Sequence, residues 1–197
     1  MMKRLLCLLL TLACLLPAAV VADGQTAWYD EDGVYRTNTY GRVQRAELKM
    51  RMATRSGPST NYDELGSYFK KGQEVSVISR AWDERNGIWW VQVEFNYGGS
   101  LRRAYTGLKR VDIDINAVQE DVPLMTAFVS AETIPYYGPG TQYTAHKQTV
   151  EYGTVGTVYA FENGWAQFEF YEAEENRYRR VWMPAGCLDW DIYTSHG

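Results

Sequence analysis

Beyond its first 22 residues the chain alternates between apolar and polar positions. In Gln73-Glu74-Val75-Ser76-Val77-Ile78-Ser79, Val75 and Val77 share one face. In Trp89-Trp90-Val91-Gln92-Val93-Glu94-Phe95, Trp89, Val91, Val93 and Phe95 fall on one face, and Trp90, Gln92 and Glu94 on the other. This period of two is that of an extended strand. Leu101 to Tyr105 and Leu108 to Ile113 predict two more short strands, and Thr154 to Phe161, Trp165 to Tyr171, Arg177 to Met183 and Cys187 to Trp190 a later set. Turn formers separate them: Gly57-Pro58, Lys71-Gly72, Asn86-Gly87, Gly98-Gly99 and Asn163-Gly164. Glu172 to Glu175 reads as a solvated hairpin tip. No helical period is sustained past the N-terminal run, so the pattern predicts an all-β chain of small barrels or sandwiches.

The pattern occurs twice. Arg55-Ser56-Gly57-Pro58-Ser59-Thr60-Asn61-Tyr62 is echoed by Tyr136-Tyr137-Gly138-Pro139-Gly140-Thr141-Gln142-Tyr143, an offset of 81 residues from Gly57 to Gly138 that also carries Gly72 onto Gly153. Trp90 to Phe95 matches Trp165 to Phe170 at an offset of 75, so six residues are missing from the loop before Trp165. Arg102-Arg103-Ala104-Tyr105 matches Arg179-Arg180-Val181-Trp182, and Val111-Asp112 matches Leu188-Asp189. Matched blocks in one order, with length changes confined to the connections, indicate an internal duplication. It divides the chain into a leader at 23–46, a first domain at 47–114, a short polar linker at 115–122, a second domain at 123–191 and a tail at 192–197. Each domain is expected to fold as a separate unit, with Trp90 and Trp165 in equivalent places.

Residues 1–22 read as an export signal. Lys3 and Arg4 precede the apolar run Leu5 to Leu16, Pro17 ends it, and Ala18 to Ala22 offers small residues for cleavage after Ala22. An uncleaved anchor and a lipoprotein acylated at Cys14 are the alternatives; the run is short for a membrane span, and Thr11 is polar where lipoprotein signals carry an apolar residue. Cleavage removes two of the three cysteines and moves the formal net charge from −4 to −6. Cys187 then remains alone, which excludes an intramolecular disulfide, and is expected to be a small buried residue. An acidic mature chain argues against general binding to nucleic acid or anionic lipid. In the leader, Trp28-Tyr29 and Val34-Tyr35 around Asp32-Gly33 predict a hairpin packed on the first domain, the alternative being a mostly disordered leader.

The repeated blocks resemble the bacterial SH3-type (SH3b) domain, the extracellular Src-homology-3-like module. Ala53-Thr54-Arg55-Ser56-Gly57-Pro58-Ser59 matches its Asn-Val-Arg-Ser-Gly-Pro-Ser-like opening. Leu65-Gly66 and Lys70-Lys71-Gly72 match the approach that follows, and Val75-Ser76-Val77 and Trp90-Val91-Gln92-Val93 the central strands. Ala104-Tyr105 stands where Gly-Trp is usual and Val111 where Leu is. The second copy departs further, with Ile134-Pro135-Tyr136-Tyr137 in place of the opening, but keeps Gly138-Pro139, Gly153, Trp165, Trp182 and Leu188. The resemblance implies two tandem SH3-like β-barrels after a cleaved signal peptide, in a secreted or envelope-associated protein that recognises cell-wall peptide or a protein partner. Fold alone assigns neither ligand.

No convincing catalytic set is present. Cys187 lacks the Asp-Cys-Ser-Gly setting of the wall peptidases often joined to such modules, and a nucleophilic cysteine needs an oriented histidine. His146 and His196 read as exposed polar residues and, with one cysteine, make a poor metal set. The expectation is therefore a non-enzyme without metal or cofactor. Arg102-Arg103 and Arg179-Arg180 read as solvated edge positions; the alternative is that one of each pair faces a groove and binds carboxylate. The loop bordering the groove of an SH3-like barrel carries Arg55, Tyr62 and Tyr68 in the first copy and Tyr136, Tyr137 and Tyr143 in the second, with Tyr105 and Trp182 on the strand beside it. Aromatic rings with polar tips suit a peptide or glycan, and at least one of Tyr136 and Tyr137 should be exposed. These eight residues are the candidate ligand-binding set; the alternative for Tyr62 and Tyr143 is that they are half-buried and only brace their loops. The second reading of the whole chain is an extracellular protein–protein adaptor or structural subunit.

Overall fold

A computed structural model describes residues 26–29, 35–38 and 44–190; the segment read as an export signal and the tail lie outside the described residues. Strands β1 (Thr26–Tyr29) and β2 (Tyr35–Asn38) form the expected antiparallel hairpin, with Tyr29 opposite Tyr35. Its Asp32-Gly33 turn lies outside the described residues. β2 makes its main approach to the second repeat, at β10 (Val155–Glu162), not to the first repeat as expected.

The first repeat is a six-stranded antiparallel sheet of β3 (Gln44–Glu47), β4 (Met52–Arg55), β5 (Glu64–Phe69), β6 (Glu74–Asp83), β7 (Ile88–Tyr97) and β8 (Ser100–Gly107), ordered β3-β6-β7-β8-β4-β5. β3 starts inside the segment read from sequence as leader. The second repeat is a five-stranded antiparallel sheet of β9 (Met125–Val129), β10, β11 (Trp165–Glu172), β12 (Arg177–Pro184) and β13 (Leu188–Asp189), ordered β12-β11-β10-β9-β13. The described residues contain no α-helix. Leu108 to Ile113, expected as a strand, is instead a 3-10 turn at Leu108–Arg110, closed by Val111 N–H donating to the Leu108 carbonyl at 2.9 Å; Val111 then bridges Leu48. Likewise Ala185–Cys187 is a 3-10 turn, and only Leu188 and Asp189 of the expected last strand pair, with β9. Apolar alternation alone does not distinguish a short strand from a single tight turn that delivers one residue to the core.

The duplication holds at the level of individual bonds. Both copies carry a β-bulge at the same place, Ile78 in β6 and Tyr159 in β10, where the register slips against β7 and β11. Gly72 N–H donates to the Leu48 carbonyl and Gly153 N–H to the Val129 carbonyl, each at 2.8 Å. Both glycines have positive φ, 80° and 81°, a conformation that disfavours any residue with a Cβ. The Asn163-Gly164 turn also has positive φ at both residues, as a two-residue hairpin turn requires.

Each repeat has its own core. Leu48, Phe69, Val77, Val91, Val93 and Phe95 fill the first, and Val129, Val158, Ala166, Phe168, Val181 and Met183 the second. Burying a side chain of this size contributes roughly 1.5–3 kcal/mol. The central strands are buried on their other face too. Gln92 and Gln167, pointing away from the two cores, are 2% and 1% exposed. That second face is covered because the two repeats pack against each other.

The linker is also built in. Asp114 caps the 3-10 turn Ile115–Ala117 by accepting from Asn116 N–H, and Val118 is buried in the first core. Arg80 N–H donates to the Gln119 carbonyl at 2.8 Å, and Asp121 N–H to the Arg80 carbonyl at 2.7 Å.

Candidate functional site

The arginines read from sequence as solvated edge positions are the centre of the inter-repeat contact. Arg103 sits in β8 opposite Glu94 of β7, and Arg180 in β12 opposite Glu169 of β11. Each arginine Nε lies 2.8 Å from its glutamate. Each glutamate then accepts from a tyrosine of the other repeat: Tyr143 Oη donates to Glu94 and Tyr62 Oη to Glu169, both at 2.5 Å. The neighbouring residues follow suit. Arg102 Nε donates to Thr144 Oγ1 at 3.2 Å, and Arg179 Nε lies 2.9 Å from Asp63 Oδ2. Parallel bridges join Leu101 to Tyr143 and Tyr62 to Tyr178. The repeats are thus related by a pseudo-two-fold exchange in which each inserts its Gly-Pro-loop tyrosine onto the arginine–glutamate pair of the other.

The two halves differ in how the arginine charge is completed. Arg103 makes a two-pronged contact with Glu162 of the second repeat, 2.7 and 3.0 Å, a geometry suited to the planar guanidinium. Arg180 donates through Nη1 to Asp121 and to Tyr105 Oη, both at 3.0 Å, and lies 3.6 Å from the Tyr159 ring centroid. Tyr105 Oη also accepts from Gln167 at 3.2 Å and donates to Asp121 at 2.6 Å. Burial pushes the Tyr105, Tyr62 and Tyr143 hydroxyls well above the ordinary phenol range, even against the opposing arginine charges. All three therefore act as neutral donors.

Gly57 and Gly138 make this exchange possible. A Cβ on Gly57 would stand 2.1 Å from the Tyr62 ring, and one on Gly138 2.0 Å from the Tyr143 ring. Each tyrosine lies across its own glycine. Gly138→Ala is therefore expected to cost about 1–3 kcal/mol through overpacking, by displacing Tyr143 from Glu94. Gly57→Ala should do the same at Glu169. Urea melts of the two variants check this, and a loss under 0.5 kcal/mol (about the size of a neutral surface change) contradicts it.

This arrangement accounts for most of the eight candidate residues. Tyr105, Trp182 and Tyr143 are buried, and Tyr62 is half-buried on Glu169. Tyr136 and Tyr137 are both half-buried, so neither presents the exposed ring expected of the pair. Tyr136 packs edge-on against Trp165 with ring centroids 5.2 Å apart, and its backbone bridges Trp182. Tyr137 stacks on His146 at 4.0 Å and takes the Arg102 guanidinium at 4.8 Å. Arg55 donates to the Tyr62 carbonyl at 2.8 Å and remains partly accessible. Tyr68 pairs with Ala53 in β5, and its side chain lies outside the described residues.

His146 and Cys187 also differ from expectation. His146 is half-buried, not exposed, and burial, then Arg179 and Arg102, push its pKa down from 6.5 to about 4. The folded state thus binds this proton more weakly than the unfolded chain. Stability is expected to be full above about pH 6.5 and to fall by about 3 kcal/mol as pH drops toward 4. His146→Gln should remove that slope in melts run across the range; an unchanged slope contradicts the assignment. Cys187 is half-buried in its 3-10 turn. Glu172 and Glu175, read as a solvated tip, lie 2.5 and 2.9 Å from Arg179.

An open cleft of about 520 Å³ does exist, on the first repeat. Trp82, Ile88, Trp89 and Trp90 form its apolar wall, and Arg55, Lys109 and Arg110 line its edge. Trp82 is 45% exposed, and its ring lies 5.2 Å from that of Trp89. Trp90 is buried, and its Nε1 has no hydrogen-bond partner among the described residues. Lys109 and Arg110 are exposed, with no acidic partner among the described residues. In the second repeat the same place is filled. Tyr136 replaces Arg55 and covers Trp165, and the six residues missing before Trp165 shorten the β10–β11 hairpin, so it lacks the tip that carries Trp82 and Trp89. Sequence reasoning missed this cleft although its signals were present: the longer, tryptophan-bearing hairpin tip of the first copy, and the loss of Arg55 in the second.

No family model matches the chain, and neither a curated protein nor a solved structure matches it.

Proposed function

We propose that this chain is an exported, non-catalytic binding protein made of two SH3-like modules, which recognises a cell-wall peptide through the tryptophan cleft of the first module. The cleft carries this reading. The inter-repeat exchange engages the tyrosines of both Gly-Pro loops, and Tyr136 fills the second module's equivalent place, so of these two equivalent places the one on the first repeat is open to a ligand. The exposed Trp82 and the half-buried Trp89 supply contact area at little conformational cost. Lys109 and Arg110 supply positive charge for peptide carboxylates, in a chain whose overall charge is negative. The matched bulges, the glycines at equivalent turns and the 3-10 turn before each last pairing support reading both repeats as one SH3-like module used twice.

Sedimentation with purified peptidoglycan tests the reading. The full chain is expected to co-sediment, and Trp82→Ala and the double change Lys109→Glu/Arg110→Glu each to weaken binding about tenfold or more, the range of an interface hot spot, with unchanged melts. Trp82 is half exposed and the two cations are on the surface, so none of these changes opens a core. Failure of the unaltered chain to sediment overturns the wall reading and leaves the extracellular adaptor.

A further inference from the structure

We infer that the cleft between the two repeats is a second binding site, one that takes an alkylammonium group such as the side chain of a lysine-class diamino acid. It goes beyond the proposed function, because it is a different cleft with the opposite charge and does not depend on the cell wall being the ligand.

The cleft encloses about 510 Å³ and is lined from both repeats and the linker. Trp82 forms one wall, shared with the tryptophan cleft of the first repeat, and Tyr62, Tyr159 and Tyr178 form the other. Between them stand Asp83, Glu84, Glu120 and Asp121, with Arg180 as the one cation in the lining. Arg180 is already committed: Asp121 and Glu169 share its charge, and its face lies on Tyr159. Glu120 has Arg80 at 3.3 Å, at the exposed edge. Asp83 accepts from the Asn86 side chain at 2.8 Å and from its backbone N–H at 3.3 Å, neutral donors that leave its charge uncompensated. Glu84 has no cationic partner among the described residues. Arg85 donates to Asn61 Oδ1 in the lining at 3.3 Å, so the cleft and its supports set five carboxylates against three guanidinium groups.

Such a surplus attracts a cation, and the walls decide which kind. Trp82 and Tyr178 are 45% and 44% exposed. An aromatic face beside carboxylates suits a cation carried on an apolar stem, whose methylenes lie along the rings while its head meets the charge. A hydrated inorganic ion gains nothing from the rings, and no group of carboxylates among the described residues has the arrangement of a metal site. An anion meets the wrong charge.

The test is titration of the full chain with Nα-acetyl-lysine amide, followed by the Trp82 indole resonance, with Nα,Nε-diacetyl-lysine amide as the uncharged control. The lysine amide is expected to shift Trp82 and to bind at least about fivefold more tightly than the control, the scale of one exposed cation–π contact plus an ion pair. The double change Glu84→Gln/Glu120→Gln should lower that affinity by a similar factor at an unchanged melting temperature. Lys109→Glu/Arg110→Glu should leave it intact, which separates this site from the wall-binding cleft. Equal binding of the two amides, no binding of either, or full affinity in the Glu84→Gln/Glu120→Gln protein overturns the inference.

Discussion

Arg180→Ala is expected to cost about 3–5 kcal/mol and to unfold both repeats in one transition. The Arg180 side chain is 3% exposed, and its partners Asp121 and Glu169 are 1% and 12% exposed. Burial works against the charge of Arg180, and the surrounding Tyr105, Glu169, Tyr62 and Asp121 more than reverse that. Truncation removes the guanidinium that Asp121 and Glu169 share and leaves two carboxylates out of water, one from the linker and one from the second repeat. Breaking a buried pair in this way costs far more than the pair itself contributes, because the orphaned charge remains. Tyr62 loses its aligned acceptor and Tyr105 one of its donors, so the damage reaches the first repeat. Arg103→Ala should act in the same direction by a smaller amount, since Glu94 and Glu162 are 23% and 16% exposed and water can reach them. Urea melts followed by far-UV circular dichroism and by tryptophan fluorescence check both. Two separated transitions, or a loss below 1 kcal/mol for Arg180→Ala, contradict the expectation.

Trp182→Ala is expected to cost about 3–5 kcal/mol as well, and again to act on both repeats. The indole is 2% exposed and packs with Ala160 of its own sheet and with Ile78 of the first. Ile78 is the bulge residue of β6, turned by the bulge out of its own core and toward the partner sheet. The Arg103 guanidinium lies 5.4 Å from the Trp182 ring centroid. Truncation thus empties an apolar contact and exposes the flank of a buried ion pair. For a protein of ordinary marginal stability this is a large share of the total. A melt in which the first repeat keeps its stability after Trp182→Ala would mean the two repeats are independent, as the sequence led us to expect.

The two all-β repeats were legible because strand alternation and turn glycines are local signals. Val91, Val93 and Phe95 point inward as their spacing demands, and Asn163-Gly164 makes the turn its residues favour. The duplication also paired Gly72 with Gly153; the bulges at Ile78 and Tyr159 fall at the same offset but leave no mark in the apolar alternation. What sequence did not reveal is which groups meet across the two repeats. Arg103 and Arg180 look like surface residues in any single strand, and only the pseudo-two-fold contact buries them. Gln92 and Gln167 were a usable sign: a polar residue in an otherwise apolar central strand, kept in both copies, whose face proves to be buried. Tyr105, Tyr143 and Trp182 are buried for the same reason, since a surface that would be open in one repeat is closed by a second copy. The cleft that remains open depends on a difference between the copies, whereas the sequence argument followed what they share.

On the proposed function, ligand enters at the first repeat's tryptophan cleft and not at its filled counterpart. Titration of the full chain with a soluble peptidoglycan stem peptide, observed at the tryptophan indole N–H resonances, tests it most directly. The account requires Trp82, Trp89 and Trp90 to shift while Trp165 and Trp182 stay in place. Shifts at Trp165 and Trp182 without shifts at Trp82 and Trp89, or no shifts at saturating peptide, contradict it.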